Sequence, residues 1–264
     1  MTNGRLRARG RGPQQGGQAI RRAVAVLRAL AVGGERGVPL ADIVQATSLA
    51  RPTVHRIVHV LIEEGIVERS ERTGNYVVGH QVPELALARP SRSPLMVAAE
   101  PHLAAASAQL GDTLFLTVRT GFDTLCVARR IGSYPIQVLS IAVGVRRPLG
   151  VSSAGVAILA AMAAPEARKI MLANAARFAG YRTDTATVLG QVQLARRRGY
   201  NLRDVGLVQG TKSLSAWIRT PDGQPAAAMT LSAMRNRLGP RRAIEVADVL
   251  LAAARAIEAA TAQS

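Results

Sequence analysis

Arg51, Thr53, His55, Arg56 and His59 are side chains of the kind that hydrogen-bond base edges and phosphates. They fall within nine residues, and at helical pitch they share one face. The other face of the same run carries Val54, Ile57, Val58 and Leu61 at spacings of 3, 1 and 3, an apolar stripe made for a core. A helix so divided is able to sit on its own protein and offer arginine, threonine and histidine to a major groove. A polar helix face is also often only a solvated one, so the elements around it decide.

Those elements are short. Leu40, Ile43 and Val44 share one face of a helix beginning at Pro39, Thr47-Ser48 breaks it, and a second helix runs from about Ala50 to Glu63. The pair has the helix-turn-helix pattern, with the second helix as the reader. Residues 66–69 and 75–78 are strand-like around a Glu71-Arg72-Thr73-Gly74 turn. A hairpin directly after such a helix is a wing, with Arg69 and Arg72 placed for phosphate contact. Upstream, Ile20, Val24, Leu27 and Ala31 recur on one face of a helix from Gln18 to Val32, predicted to pack on this core, and Gly33-Gly34 ends it.

A second set of groups lies in the other half. Ser152-Ser153 precede a helix predicted over 154–163, supplying an N-cap and free backbone N–H groups at the positive end of a helix dipole, where a carboxylate is held. Thr230 and Ser232 are two apart in a strand-like run and point to one face.

With 264 residues and 48% apolar content the chain is long enough for two cored domains. Residues 1–17, with arginines at 5, 7, 9 and 11 and no apolar core of a secretory signal, read as a disordered basic tail. The winged module occupies 18–79. Residues 80–94, with Pro83, Pro90 and Pro94, read as a linker, and 95–264 as the second domain. There a helix from about Met96 to Leu110 is followed by strands predicted over 113–118, 125–131 and 136–141, and by helices over 154–163 and 166–176 with Pro165 between them. A helix over 187–198, a hairpin of 213–219 with 226–232 about Pro221-Asp222-Gly223, and a closing helix over 240–262 complete it. Hairpins mixed with helices predict an α+β fold with a mainly antiparallel sheet.

The formal net charge is +17, which points to a polyanionic partner. It is not concentrated on the winged half: residues 1–88 hold 12 Arg against 7 acidic residues, a net of +5, leaving +12 beyond them. Only two of the 34 basic residues are lysines, Lys169 and Lys212, a bias that a GC-rich genome also produces. A single cysteine, Cys126, rules out an intramolecular disulfide and favours a reducing, cytoplasmic setting. No apolar run is long enough for a membrane span.

Catalysis finds little support. Cys126 stands in an apolar strand-like run, His102 has no evident partner, and no G-x-S-x-G, phosphate loop or dinucleotide fingerprint occurs. His55 and His59 have metal-pair spacing, but Arg56 stands where a zinc protease needs glutamate, and there is no third ligand. No cofactor is expected. A non-specific basic DNA-compacting protein is the alternative function, and a small-molecule enzyme a more distant one.

The organisation resembles the IclR family of bacterial transcription regulators over residues 18 to about 260. The run 51–61, RPTVHRIVHVL, is similar to its S-T-V-H-R-L-L motif, and Tyr76-Val77-Val78-Gly79 to Y-x-L-G. The segment 147–155 resembles P-x-x-A-x-G-K, and Arg198-Gly199-Tyr200 its R-G-Y. Gly210 and Asp222-Gly223 are similarly placed. The chain departs from the family at Ser48 (usually glycine), Gly150 (histidine), Val156 (lysine), Gly206 (glutamate) and Trp217 (proline). The resemblance implies a GAF-like effector-binding second domain that also assembles dimers or tetramers on double-stranded operator DNA. It further implies effector contacts at Ser152, Ser153 and Ala154, at Ser213, at Thr230 and Ser232, and near Arg203-Asp204, for a small anionic metabolite. Repression is the expected sign of regulation.

Overall fold

The computed structural model describes residues 14–31, 33, 36–87, 94–204 and 207–263. It divides into two compact units, with the division at Pro90/Ser91. The first comprises α1 (Gln14–Leu30), α2 (Leu40–Thr47), α3 (Arg51–Glu63), β1 (Val67–Arg69), β2 (Tyr76–Val78) and α4 (Gln81–Leu87). Its core is Val26, Leu30, Ile43, Val54, Val58 and Val67, all buried. The turn between α2 and α3 passes through Ser48 at φ 54°, the left-handed region that glycine enters at no steric cost. β1 and β2 pair antiparallel with Glu68 opposite Val77. Val38 and Tyr76 exchange both backbone hydrogen bonds (2.8 and 3.0 Å), which ties the wing to the chain before α2.

Three expectations are corrected in this unit. α1 begins at Gln14, so 14–17 are helical rather than tail; residues 1–13, and Val32 and Gly34 at the other end, lie outside the described residues. Of the predicted face Leu27 packs, beside buried Val26 and Leu30, whereas Ile20 is 68% exposed and Val24 is exposed. The apolar arc of α1 is wider than its contact, and the helix is rolled toward one side. Within 80–94 the residues Gln81–Leu87 form a short helix, with Pro83 in its first turn, where a missing N–H is harmless; 88–93 lie outside the described residues.

The second unit comprises α5 (Pro94–Leu110), β3 (Thr113–Thr120), β4 (Asp123–Arg130), β5 (Arg146–Pro148), α6 (Ser153–Ala161), α7 (Ala164–Phe178), α8 (Thr185–Arg198), β6 (Asn201–Arg203), β7 (Thr211–Arg219), β8 (Pro225–Met234) and α9 (Pro240–Ala262). One six-stranded sheet, ordered β5-β4-β3-β8-β7-β6, is antiparallel throughout. The period of two sorts its side chains. Leu114, Leu116, Leu214, Ile218, Met229 and Leu231 pack under α5 and α9 with Leu103, Leu250 and Ile257. The opposite face receives α6, every residue of which is buried, and behind it α7 and α8. Asp184 caps α8, accepting from Thr187 N at 2.7 Å, and Gly199 ends that helix at φ 81°.

The strand predicted over 136–141 does not form. Pro135 precedes it, and the Gln137 side chain occupies the end of the sheet: its amide nitrogen donates to Gly111 O (3.0 Å) and Tyr134 O (2.5 Å), and its oxygen accepts from Thr113 Oγ1 (2.5 Å). Pro165 lies inside the start of α7 rather than between helices. The two edge strands, β5 and β6, are additions of three residues each.

The start of β3 is clamped to α9 by a carboxylate. Asp112, 2% exposed, accepts from Arg237 Nε (2.7 Å) and Arg242 Nη2 (2.8 Å), and both arginines also donate to the α5 carbonyl of Leu110. Arg237 stacks 3.7 Å over the Tyr134 ring. Removing the carboxylate leaves two partly buried cations facing one carbonyl. Asp112→Ala is expected to lower the stability of this unit by about 3 kcal/mol in urea unfolding. Glu245→Ala, which removes only an exposed 3.8 Å pair with Arg242, should change it by less than about 0.5 kcal/mol. Equal effects would show that the clamp is not buried in solution.

Cys126 is buried in β4, and that burial pushes its thiol up to about 11, against a smaller opposite pull from Arg129 and Arg147. At pH 8 only about one thiol in a thousand is then ionised. Iodoacetamide should alkylate the folded protein at least about a hundredfold more slowly than the urea-unfolded chain. Comparable rates, followed by mass spectrometry, would contradict this environment.

Candidate functional site

α3 starts after Ala50, with Pro52 in its first turn, and is held by buried Val54 and Val58 with Ile57 and Leu61 half-buried. That leaves Arg51, His55, Arg56 and His59 exposed and Thr53 half-buried on the outward side. Arg56 has no carboxylate within ion-pair distance among the described residues. His59 is engaged by Glu63 one turn on (Nδ1 to Oε1, 3.1 Å), and its ring centroid lies 6.4 Å from that of His55. Glu63 is therefore part of this face and was not anticipated, although its i,i+4 spacing is readable.

On the wing, Arg72 is exposed at the turn, while Arg69 braces it, Nε donating to Gly74 O at 3.1 Å. Thr73 and Asn75 side chains donate to Arg36 O, so the tip is anchored to the loop before α2. At the base of the wing, Glu68 accepts from both the backbone N–H and the ring Nδ1 of His80 at 2.8 Å, and these bonds hold its carboxyl below the usual range. Among the described residues no group of three side chains is placed to hold a metal ion.

In the second unit a small cavity of about 40 Å3 lies between the sheet and the start of α6. Ser152, Ser153, Ala154, Arg203, Ser213, Thr230 and Ser232 all line it. The sheet register builds one wall. Thr230 stands opposite Phe115 on one side and Ser215 on the other, and Ser232 opposite Thr113 and Ser213. Ser215 Oγ donates to Ser153 Oγ (2.8 Å) and meets Thr230 Oγ1 (2.8 Å); Ser213 and Ser232 meet at 2.9 Å. Asn201 Nδ2 donates to Ser153 Oγ (2.9 Å), so Ser153 is the hub. Ser152 caps α6 through Gly155 N (3.1 Å), and the N–H groups of Ser153 and Ala154 remain as first-turn donors.

Asp204 does not join the others. It lies just past the end of β6, is exposed and pairs with Lys212 (2.7 Å). Arg203 is the member of that dipeptide that reaches the cavity, Nη1 donating to Val151 O at 2.5 Å.

Facing it is a residue that sequence reasoning missed. Arg147, on β5, lines the cavity and donates from Nη2 to Ser140 O at 2.9 Å. Burial lowers both guanidinium pKa values, and the charge on Arg147 lowers that of Arg203 further. No acidic side chain lines the cavity among the described residues. Phe115 and Thr117 were also missed, although they carry the same i,i+2 signature as Thr230 and Ser232.

The family departures have local reasons. Gly150 sits at φ 109°, and a Cβ there would meet Val188 and Phe178 at 2.9 and 3.1 Å, so this backbone excludes a histidine. Val156 is wholly buried and Trp217 packs on the same cluster behind α6. Gly206 lies outside the described residues.

Comparison with known proteins gives a consistent result. Residues 19–71 match the IclR helix-turn-helix domain, and residues 89–259 match the bacterial transcriptional regulator IclR C-terminal domain. The Pca regulon regulatory protein of Pseudomonas putida is 30% identical over 241 residues, 90% of this chain and 81% of that protein. The HTH-type transcriptional regulator BhcR of Paracoccus denitrificans is 30% identical over 256 residues, 95% and 90% of the two chains. The fold is similar to that of an IclR transcriptional regulator from Alicyclobacillus acidocaldarius (17% identity, TM-score 0.74, 92% of this chain and 98% of that one). It is similar also to an IclR homologue from Microbacterium hydrocarbonoxydans complexed with 4-hydroxybenzoate (24% identity, TM-score 0.70, 93% and 100%). The chain belongs to the IclR family of bacterial transcriptional regulators, a DNA-binding regulator and not an enzyme.

Proposed function

We propose that α3 reads a specific operator and that a small organic acid in the cavity of the second unit tunes that reading, with repression as the outcome. Thr53, His55, Arg56 and His59 are assigned to base edges, and Arg51, Arg69 and Arg72 to phosphates. Residues 18–79 form the reading module, 80–94 connect, and 95–264 sense and assemble. The observation that carries the effector reading is the pair of half-buried arginines in a cavity lined, among the described residues, by hydroxyls and no carboxylate. The 4-hydroxybenzoate complex of the Microbacterium relative supports an organic acid as the class. Repression draws support from the Escherichia coli repressor AllR, 25% identical over 94% of this chain.

A homodimer or homotetramer fits the same reading. One winged module makes too few base contacts for strong selectivity, so two are needed on a two-part site. Exposed Ile20 and Val24 on α1, and Leu85 on α4, are apolar groups that a second copy would cover. No described helix is long and apolar enough to cross a membrane, and action on DNA in the cytoplasm needs none.

Arg56→Ala is expected to weaken operator binding by about 1–3 kcal/mol, and binding to random duplex far less, in titrations at one salt concentration. Equal losses on both would remove the base-reading role and favour non-specific binding. Thr230→Val, which keeps shape and deletes one cavity hydroxyl, should reduce affinity for an organic-acid effector about tenfold by calorimetry. Unchanged affinity would move the effector elsewhere.

A further inference from the structure

The wing tip has beside it one basic side chain that belongs neither to α3 nor to the hairpin. Arg36 lies in the loop before α2, and its carbonyl accepts from Asn75 Nδ2 at 3.0 Å and from Thr73 Oγ1 at 3.4 Å, both on the wing. The next two residues hold it there. Gly37 sits at φ 66°, and a Cβ on it would come within 2.7 Å of Tyr76 O, so the loop lies close against β2. Val38 then exchanges both backbone hydrogen bonds with Tyr76. On the loop side all of these contacts are made by backbone. The Arg36 side chain takes no part in them, is exposed, and has no hydrogen bond or ion pair among the described residues. Any residue could anchor the loop through its carbonyl, so the fold alone does not call for a guanidinium at this position.

Its neighbours point to DNA. Thr73, bonded to Arg36, directly follows Arg72 in the turn, so the two arginines reach one tip from separate segments of the chain. Together with Arg69 they stand against one described carboxylate of that turn, Glu71. An exposed cation left without a partner in a DNA-binding unit is matched by a backbone phosphate. We propose that Arg36 is a phosphate-contacting residue, which with Arg72 makes the wing tip a two-segment clamp on the DNA backbone. The proposal rests on the assignment of Arg72 to phosphates and extends it to a residue outside the hairpin. Such a contact adds affinity and salt dependence and does not select bases.

The test uses the full-length protein and a mixed-sequence duplex, since a phosphate contact is indifferent to base sequence. Binding is titrated over a series of salt concentrations for the wild type, Arg36→Gln, Arg36→Lys and Arg72→Gln. Arg197→Gln, at an exposed position near the end of α8 in the other unit, is the control for net charge. Arg36→Gln is expected to weaken binding about fivefold and to flatten the slope of log affinity against log salt by about one, as for one lost phosphate. Arg36→Lys should keep the slope, because a lysine also serves a phosphate as a point charge. Arg197→Gln should keep it too. An unchanged slope in Arg36→Gln beside a flattened one in Arg72→Gln overturns the role of Arg36 and leaves the wing's phosphate contact standing. Unchanged slopes in both overturn the two together. Equal flattening by Arg197→Gln assigns the effect to net charge and overturns the proposal. Equal flattening by Arg36→Lys assigns it to the shape of the loop and overturns it as well.

Discussion

The alternation of side chains along β3, β7 and β8 is the constraint on which the second unit depends. In β8, Met229 and Leu231 face α5 and α9, so Thr230 and Ser232 must face α6. The register then sets Thr230 beside Ser215 and Ser232 beside Ser213, which turns four isolated hydroxyls into two bonded pairs. A slip of one residue would bury the hydroxyls under α9 and carry methionine and leucine into the cavity. The same packing that stabilises the sheet therefore creates the polar wall. α6 answers it, since its first residue, Ser153, accepts from both Ser215 and Asn201 while the rest of the helix is apolar and buried.

The first unit solves a related problem with a period of 3.6. α3 buries Val54 and Val58, and that fixes which side faces out. Around it, the wing is tied back to the loop before α2 through Arg36, and Arg69 braces the turn of its own hairpin through Nε. Ser48 at φ 54° is the one strained point of the helix pair, and a serine there costs more than the glycine usual in the family.

Long elements with a clear period were legible in the sequence. The limits of α9, Pro240–Ala262, match the apolar repeat and its flanking proline, and α3 and the 211–234 hairpin were read within a few residues. What escaped reading depends on contacts distant in the chain. β5 and β6 are three residues long, too short to show a period, and exist because a neighbouring strand offers them an edge. Arg147 was thus missed as a cavity residue: its place follows from sheet closure, not from its neighbours in sequence. The apolar run 136–141 looked like a strand because its composition is that of one, but it joins no sheet, and Gln137 is held by Gly111 O and the Thr113 hydroxyl. On α1 apolar residues spread over more of the helix than one contact covers, and Val26 and Leu30 are buried where Ile20 and Val24 are not.

The paired arginines also bear on how a bound acid would act at a distance. Holding two guanidinium groups in a largely buried cavity disfavours their charged forms, as the lowered pKa values of both express. An anion that bound there would add stability in proportion to RT ln(1 + [L]/Kd). That added stability alone does not alter DNA affinity. Coupling requires that the acid bind one arrangement of the protein more tightly than another, and the two effects must then be reciprocal. Arg147 offers a physical source for such a difference, because the guanidinium that would meet the acid also holds the carbonyl of Ser140, in the connection between β4 and β5. A ligand that takes this guanidinium away from a backbone carbonyl changes what the connection is tied to, so binding free energy and backbone position are linked through one side chain.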